Sequence, residues 1–515
     1  MSRQQPLLPR VFALHGRWRA SQPALITHDE WLDWATLDAR TNQVANGLIG
    51  AGCAKGARVG VLMSNCAAML EVMLGAMKAG AVVAPINPSV TDEAIAAMLQ
   101  DAGAGALFVT SEHCARCVGE LATPKLRIAV GADGAWNDYL AWREAQSPEP
   151  PDACVAADDI CNIIYSSGTT GQPKGIAHSH QCRIDTAHDL AHVLRYNSAA
   201  RTLIVTGLFS NISWASMLPT LLLGGTVYVR KTFEPRDVLE TIARERITNV
   251  SMVPVQYQRL LEHPEFSSFY LTSMRAMMCC GAPLPVHVKE QLFERLACGV
   301  IELYGSTEGV ITTLAPEEAH GRMASVGKPL PGEDIAILSD DGRILPAGQS
   351  GEVIALSRIM MSGYWANPEA TAEAMWTDAA GRTWLRSGDI GRLDGEGYLY
   401  ITDRKKDMII SGGQNIYPAD IEAVLMRHAS VLDCAVFGVP SDKWGETPLA
   451  LVVLRGGAKD AAGDVRAWLN AQLGKQQRVH EVEIRPSLPR NANGKLLKRE
   501  LRAPYWRAPL DGRRT

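Results

Sequence analysis

"DICNIIYSSGTTGQPKG", residues 159–175, joins an apolar run to a loop of small and hydroxyl-bearing residues. The run up to Tyr165 reads as a buried strand. Ser166, Ser167, Gly168, Thr169 and Thr170 follow, and small side chains let backbone amides approach a ligand closely. Lys174 then supplies a group that is cationic at neutral pH. Amides, hydroxyls and an ammonium together suit anionic oxygens. The spacing is not that of the Walker loop G-x-x-x-x-G-K-[ST]: Lys174 follows Gln172-Pro173, and only two residues separate Gly168 from Gly171. A lone G-x-x-G would read as a flexible turn with a solvated lysine. The whole run from Tyr165 to Gly175 is far more specific.

Outward from this loop, short apolar runs alternate with amphipathic segments. "ARVGVLMSN" (57–65), "AVVAPIN" (81–87), "ALFVTSE" (106–112), "RTLIVTG" (201–207), "TVYVRK" (226–231), "NVSMV" (249–253) and "RAMMCCG" (275–281) read as buried strands. "DEAIAAMLQDAG" (92–103), "PRDVLETIARERI" (235–247) and "PVHVKEQLFERLA" (285–297) read as helices. This alternation predicts an α/β fold with parallel sheets covered on both faces. From Ser325 the texture becomes turn-rich, which predicts an antiparallel β-subdomain. The charged "DRKKD" (403–407) separates it from a last stretch sufficient for a small α+β domain.

The 515 residues are enough for two to four folding units, and 47% apolar content supplies a large core. A net charge of -4 gives no footprint for nucleic acid. The N-terminus reads without a signal peptide, and no apolar stretch is long enough to span a membrane, so a cytoplasmic protein is expected. Cys114-Ala-Arg-Cys117 has zinc-like spacing but no second pair, and is read as a surface helix with two thiols. Cys279 and Cys280 are read as core thiols.

"YSSGTTGQPKG" closely resembles the signature of the adenylate-forming superfamily, which includes acyl-CoA synthetases, adenylation domains of peptide synthetases and luciferases. The resemblance continues in order from about Pro23 to Arg502. "ELYGSTEG" (302–309) resembles the Tyr-Gly-x-Thr-Glu motif, and "LRSGDIGRLDGEGYLYITDRKKDMIISGGQNIYP" (385–418) the ribose-binding and hinge motifs. "LPRNANGKLLKRELR" (488–502) resembles the C-terminal lysine motif. The fold so implied is a large N-terminal domain of two doubly wound α/β subdomains plus a distorted β-barrel subdomain. A small mobile C-terminal α+β domain completes it. The boundaries expected are 1–403, a hinge at 404–406, and a cap at 407–515.

The resemblance also implies the reaction. A carboxylate attacks the α-phosphate of ATP, giving acyl-AMP and pyrophosphate, and the CoA thiol then displaces AMP. Such a site must stabilise phosphate charge, hold adenosine and exclude water from a mixed anhydride. ATP, Mg2+, CoA and a small carboxylic acid are the expected ligands, and a homodimer is allowed. Nucleotide contacts carry over to Ser166, Ser167, Gly168, Thr169, Thr170, Gly171 and Lys174. They carry over likewise to Gly281, Ala282, Pro283, Glu302, Tyr304, Gly305, Ser306, Thr307, Asp389, Ile401, Arg404 and Lys495. Tyr304 offers an aromatic face to adenine, and Asp389 can accept both ribose hydroxyls.

Catalysis is assigned by the same resemblance to Lys495, Thr307, Glu308 and Lys174. Thr307 contacts phosphate, and Glu308 helps hold Mg2+. Lys406 is the hinge residue, with Asp403 the neighbouring candidate. Gly412 and Gly413 line a channel for the pantetheine arm. Lys495, after Asn493-Gly494, is expected on an exposed flexible loop that reaches the α-phosphate only in a closed state. His178 and His180, around Ser179, are read as helix-entry residues near the nucleotide.

The acid is less legible. Ser210 in "LFSNISWASMLP" (208–219) stands where many aryl- and acyl-CoA ligases carry the histidine of a Phe-His pair. Asn211 stands in rough register with the aspartate that amino-acid-activating domains pair with the substrate ammonium. It cannot supply that charge, which disfavours an amino acid. Ser210, Asn211, Trp214 and Val310, with Met217, Met277, Met278 and Ile311, would line an apolar pocket for a fatty or aromatic acid. Two other readings stay open: a ligase that loads a carrier-protein thiol, and a non-catalytic nucleotide or acyl sensor.

Overall fold

The computed structural model describes residues 6–53, 55–117, 124–131, 134, 136–166, 174–411, 414–441, 443–458, 460–475, 477–491 and 494–507. The chain divides into two compact units. One comprises Met1–Asp334 and Ala355–Leu385, the other Ile335–Ile354 and Arg386–Thr515.

The first unit holds two sheets. In one, the parallel strands Pro23–Ile26, Thr226–Val229, Arg201–Ile204, Asn249–Met252, Ala276–Cys279 and Ile301–Gly305 lie side by side in that order. Trp31–Asp33 closes one edge, and Ile311–Leu314 followed by the short Lys328–Pro329 closes the other, each pairing antiparallel with its neighbour. In the second sheet, Ile160–Ser166, Val82–Pro85, Arg58–Leu62, Ala106–Thr110 and Leu126–Val130 run parallel. The strands are buried along most of their length, as two-faced sheets require. The helices lie at Asp92–Ala102, Pro235–Glu245 and Val286–Arg295, within two residues of the expected bounds.

The strand that precedes the Gly/Ser/Thr-rich stretch is not followed directly by a helix. Ile160–Ser166 turns back antiparallel into Lys174–Ser179, with Ser166 opposite Lys174 and Tyr165 opposite Gly175. Only then does the helix His180–Val193 begin, with Ser179 as its N-cap. A second short strand, Gly363–Tyr364, pairs with Lys174–Ser179 and sets Tyr364 opposite Ile176.

The turn-rich stretch gives the strands Asp334–Leu338, Gly351–Leu356, Thr383–Leu393 and Leu399–Arg404, most of whose residues belong to the second unit. The rest of that unit is an α+β fold. Val431–Ser441 and Gly445–Leu454 form a long hairpin, flanked by Ile409–Ser411 and by the parallel Glu481–Ile484. Its core includes Ile421, Leu425, Val436, Val452, Val465 and Leu469, all fully buried.

The expected surface helix at Cys114–Cys117 is a 3-10 turn, Ser111–Arg116, and Cys117 is buried beside it. Cys279 and Cys280 are buried as expected. No helix among the described residues is long and apolar enough to cross a membrane.

Candidate active site

In the first unit, the strand Ile301–Gly305 ends in a tight turn that carries Thr307 and Glu308. Ser306 N donates to the Val310 carbonyl at 3.0 Å, and Gly309 N to the Ser306 carbonyl at 3.2 Å. Gly309 has φ +120, and a Cβ there would stand 2.5 Å from Met360 Cα, so only glycine fits. Neighbouring strands hold the turn from outside. Met361 N donates to the Glu308 carbonyl at 2.8 Å, and His178 Nε2 lies 2.8 Å from the Thr307 carbonyl. The Tyr364 hydroxyl donates to Glu308 Oε1 at 3.0 Å. Burial and the Glu308 charge push the Tyr364 hydroxyl above its ordinary value, so it stays protonated and donates. Lys174 Nζ sits 4.9 Å from the centre of the Tyr364 ring. Tyr364 thus brings together Lys174 and Glu308, two residues distant in sequence.

Beneath this group lies a buried polar network. Arg183 is 2% exposed. Its Nε donates to Asn162 Oδ1 at 2.7 Å, its Nη1 to Asn211 Oδ1 at 2.9 Å, and its Nη2 meets His178 Nδ1 at 3.2 Å. Its guanidinium also lies 4.9 Å from the Trp214 ring centre. Arginine only donates, so His178 Nδ1 accepts and the ring hydrogen is on Nε2, directed at Thr307. Burial and the Arg183 charge hold His178 far below its ordinary value, so the ring is neutral. His178 is therefore a strand residue and not a helix-entry one; His180 does begin the helix.

Past the strand Ala276–Cys279, Gly281 takes φ +93, and a Cβ there would crowd Ile212 at 2.9 Å. The turn that contains Ala282 and Pro283 is tied down by Glu302, whose Oε1 accepts from Leu284 N at 3.3 Å. Glu302 also pairs with the buried Lys289, whose ammonium donates to the Met323 carbonyl at 2.6 Å. Burial raises Glu302 against the opposing pull of Lys289. The Glu302 carboxylate is thus engaged by protein groups, and it supports the Gly281–Leu284 turn. Tyr304 is half-buried at the strand end opposite Thr312, and the Ser306 hydroxyl is buried with no partner among the described residues.

Ser210 caps the helix Asn211–Leu223. Trp214, Val310, Met217, Met277 and Met278 are buried, and Asn211 and Ile311 are half-buried. Ser167, Gly168, Thr169, Thr170, Gly171, Gly412 and Gly413 lie outside the described residues, as does the Ser166 side chain.

The second unit gathers another set. Asp389 pairs in register with Arg404, whose Nε lies 3.0 Å from Asp389 Oδ1, and Ile401 pairs with Gly391. Asp403 Oδ2 accepts from Ala419 N at 3.0 Å at the start of the helix Pro418–Leu425, and burial pushes its carboxyl up to about 6. Lys406 is an exposed residue, though desolvation around its ammonium lowers it.

Lys495 sits in a small turn closed by the Arg490–Leu496 bridge. Its N donates to Asn491 Oδ1 at 2.9 Å, and Asn491 N donates to its carbonyl at 2.9 Å. Gly494, at φ +74, permits the turn. The side chain is half-buried, where an exposed one was expected. Burial, with Arg404 adding to it, lowers the ammonium to about 8, while Asp389 opposes. Lys495 thus shares the electrostatic environment of Asp389, Arg404, Lys406 and Asp407.

The sequence alone does not single out Tyr364 or Arg183. "MSGYW" (361–365) carries no motif. The only hint at Arg183 is a charge at a position whose next residue, Ile184, and whose Ala187 face the core.

For Mg2+ the donors fit: a hard carboxylate on Glu308 with lone pairs beyond the one facing Tyr364, beside Thr307. Among the described residues no cluster of three or more His, Cys, Asp or Glu could hold a metal with protein ligands alone.

The family model for AMP-binding enzymes matches residues 14–365, and that for the AMP-binding enzyme C-terminal domain matches residues 420–495. The chain is 36% identical to a feruloyl-CoA synthase from an Amycolatopsis species, over 92% of this chain and 94% of that protein. It is 34% identical to the long-chain-fatty-acid–CoA ligase FadD13 of Mycobacterium tuberculosis, over 93% and 94%. The crystal structure of ATP-bound MatB from Rhodopseudomonas palustris superposes with a TM-score of 0.88 at 27% identity, covering 96% of this chain and 99% of that one. The chain belongs to the AMP-binding enzyme family, as an AMP-forming acyl-CoA synthetase of the adenylate-forming superfamily.

Proposed function

We propose that this enzyme converts a hydrophobic fatty or aromatic acid and ATP into acyl-AMP and pyrophosphate, and then passes the acyl group to CoA with release of AMP. The observation that carries this reading is the meeting of Lys174 and Glu308 at Tyr364, with Thr307 next to Glu308 in the same turn. In this reading Lys174 and Thr307 bind phosphate oxygens, and Glu308 with Thr307 would hold Mg2+, which neutralises phosphate charge when bound. Tyr304 and the Gly281–Pro283 turn flank adenine, and Glu302 and Lys289 fix that turn from behind. Asp389 takes the ribose hydroxyls, with Arg404 beside it.

Lys495 supplies the cation that bridges the acid's carboxylate and the α-phosphate. It stabilises charge that grows only as the P–O bond forms, so it lowers the barrier and not merely the binding energy. The cap at 407–515 would turn about 404–406 to withdraw Lys495 and present the CoA loop at Gly412–Gly413. Such a step fits a cytoplasmic enzyme supplied with ATP and CoA.

The test is pyrophosphate and thioester formation with fatty acids of graded length and with benzoic and cinnamic acids, with and without CoA. Acyl-CoA formation from at least one acid is expected. Pyrophosphate release with no turnover of free CoA would move the reading to a carrier-protein thiol, and AMP binding with no pyrophosphate from any acid would make the chain a sensor.

A further inference from the structure

Arg183 is a cation sealed inside the first unit, and among the described residues no carboxylate pairs with it. Its partners among the described residues are the neutral Asn162, Asn211 and His178 and the face of Trp214. Burial lowers its guanidinium, and only thiols oppose that. An arginine stays charged even so. A buried charge of this kind is costly unless hydrogen bonds and a suitable ligand field compensate it. Arg183 also settles the orientation of a residue at the expected acyl pocket. It takes Asn211 Oδ1, so the Asn211 amide group presents its N–H side away from Arg183. That nitrogen has no hydrogen bond to any described residue, and Asn211 is half-buried at the first turn of the helix Asn211–Leu223. The helix end adds its own partial positive charge.

Three features of one sign therefore meet at Asn211: an amide that can only donate, a helix N-terminus, and a buried guanidinium behind them. Building on the proposed acid-activating function, we infer that Arg183 is a specificity-positioning residue. It holds Asn211 as a hydrogen-bond donor in the acyl pocket and selects acids that carry an oxygen acceptor (a phenolic, ether or carbonyl oxygen) over all-hydrocarbon acids. The same field rejects acids that carry an ammonium. Ser210 is itself buried as the cap of this helix, which leaves Asn211 the polar group on the exposed side of this turn.

Matched acids test this. kcat/KM for pyrophosphate release would be compared for 3- and 4-hydroxycinnamic and methoxycinnamic acids against 3- and 4-methylcinnamic acids. The wild type is expected to prefer an oxygen-bearing member by about tenfold or more, the value of one buried donor satisfied or left unmade. Arg183→Met should bring that ratio to within about threefold, mostly through KM. Asn211→Asp is nearly isosteric and gives Arg183 a carboxylate, so it keeps the fold; it lacks the N–H and should lose the preference too. Arg183→Lys, still charged but without the fork, should keep part of the ratio.

A wild type that favours the methyl acids, or variants in which both classes fall together with the ratio unchanged, would overturn the inference. The second result would make the network only structural or tie it to the carboxylate that all the acids share. No pyrophosphate from any acid would overturn the proposed reaction itself, and this inference with it.

Discussion

Two turns carry the candidate chemistry, and they are held in opposite ways. The Thr307–Glu308 turn is fixed from far along the chain: His178 is 129 residues away and Tyr364 is 56. The Lys495 turn is held mainly by its own neighbours, through Asn491 four residues away and Arg490, which donates to the Gly494 carbonyl and ties the turn to Asp433 within the same unit. The first kind of support makes a rigid seat, because strands of a packed sheet must move before the turn can. The second makes a portable tool. It keeps its internal geometry wherever the unit that bears it goes, which suits a cation needed in one half-reaction only.

The largest expected effect falls on the seat. Glu308→Gln keeps the shape and the acceptor for Tyr364 but removes the charge, and should slow pyrophosphate formation about 100-fold or more. Stopped-flow or coupled pyrophosphate assays would show it, and a loss under fivefold would break the proposed metal role. Tyr364→Phe removes a hydrogen bond to a charged group, worth about 1.5–3 kcal/mol, so a loss of about tenfold or somewhat more is expected. That loss should appear in kcat more than in KM, since the tyrosine orients Glu308.

The portable turn has a signature in pH. Its ammonium is lowered to about 8 by burial and Arg404, and the charged form is the active one. Adenylation should therefore be full below that value and fall about tenfold per unit above it in kcat/KM, which reports the free enzyme. Lys495→Arg stays charged and should lose this alkaline limb whatever its absolute rate. The smallest effect is expected from Asn491→Ala, which loosens only the local turn. It should cost a few-fold in adenylation and about 1 kcal/mol or less in stability, read by thermal melting. A loss as large as that of Tyr364→Phe would mean the Lys495 turn is no more self-contained than the other.

The same contrast explains what the sequence could show. Strands such as "ALFVTSE" and "NVSMV" were legible because burial on both faces writes continuous apolar runs, and helices such as Pro235–Glu245 because their period is 3.6. The local turn at Gly494-Lys495 could be read from its own residues. Tyr364 could not: nothing in the spacing of residues 308 and 364 states that strand Gly363–Tyr364 pairs with Lys174–Ser179. Arg183 was hidden for the same reason, since its partners at 162, 178 and 211 come from different elements. The apolar run that ends at Tyr165 announces the strand before this stretch, but the antiparallel return of Lys174–Ser179 depends on pairing that composition does not encode. Glu302 is expected at the nucleotide, and the structure shows its carboxylate tied to Lys289 and Leu284 N, partners that the sequence does not announce. The exposure of Lys495 was overestimated because its neighbours Asp389 and Arg404 lie about a hundred residues earlier.

The most direct measurement separates the two half-reactions in the Lys495→Ala enzyme. Pyrophosphate release from acid and ATP should fall by a factor on the order of 100 to 1,000, while thioester formation from supplied acyl-adenylate and CoA stays within a few-fold of wild type. Equal loss in both half-reactions, or retention of the first, would contradict a lysine that acts at the α-phosphate only while the anhydride forms.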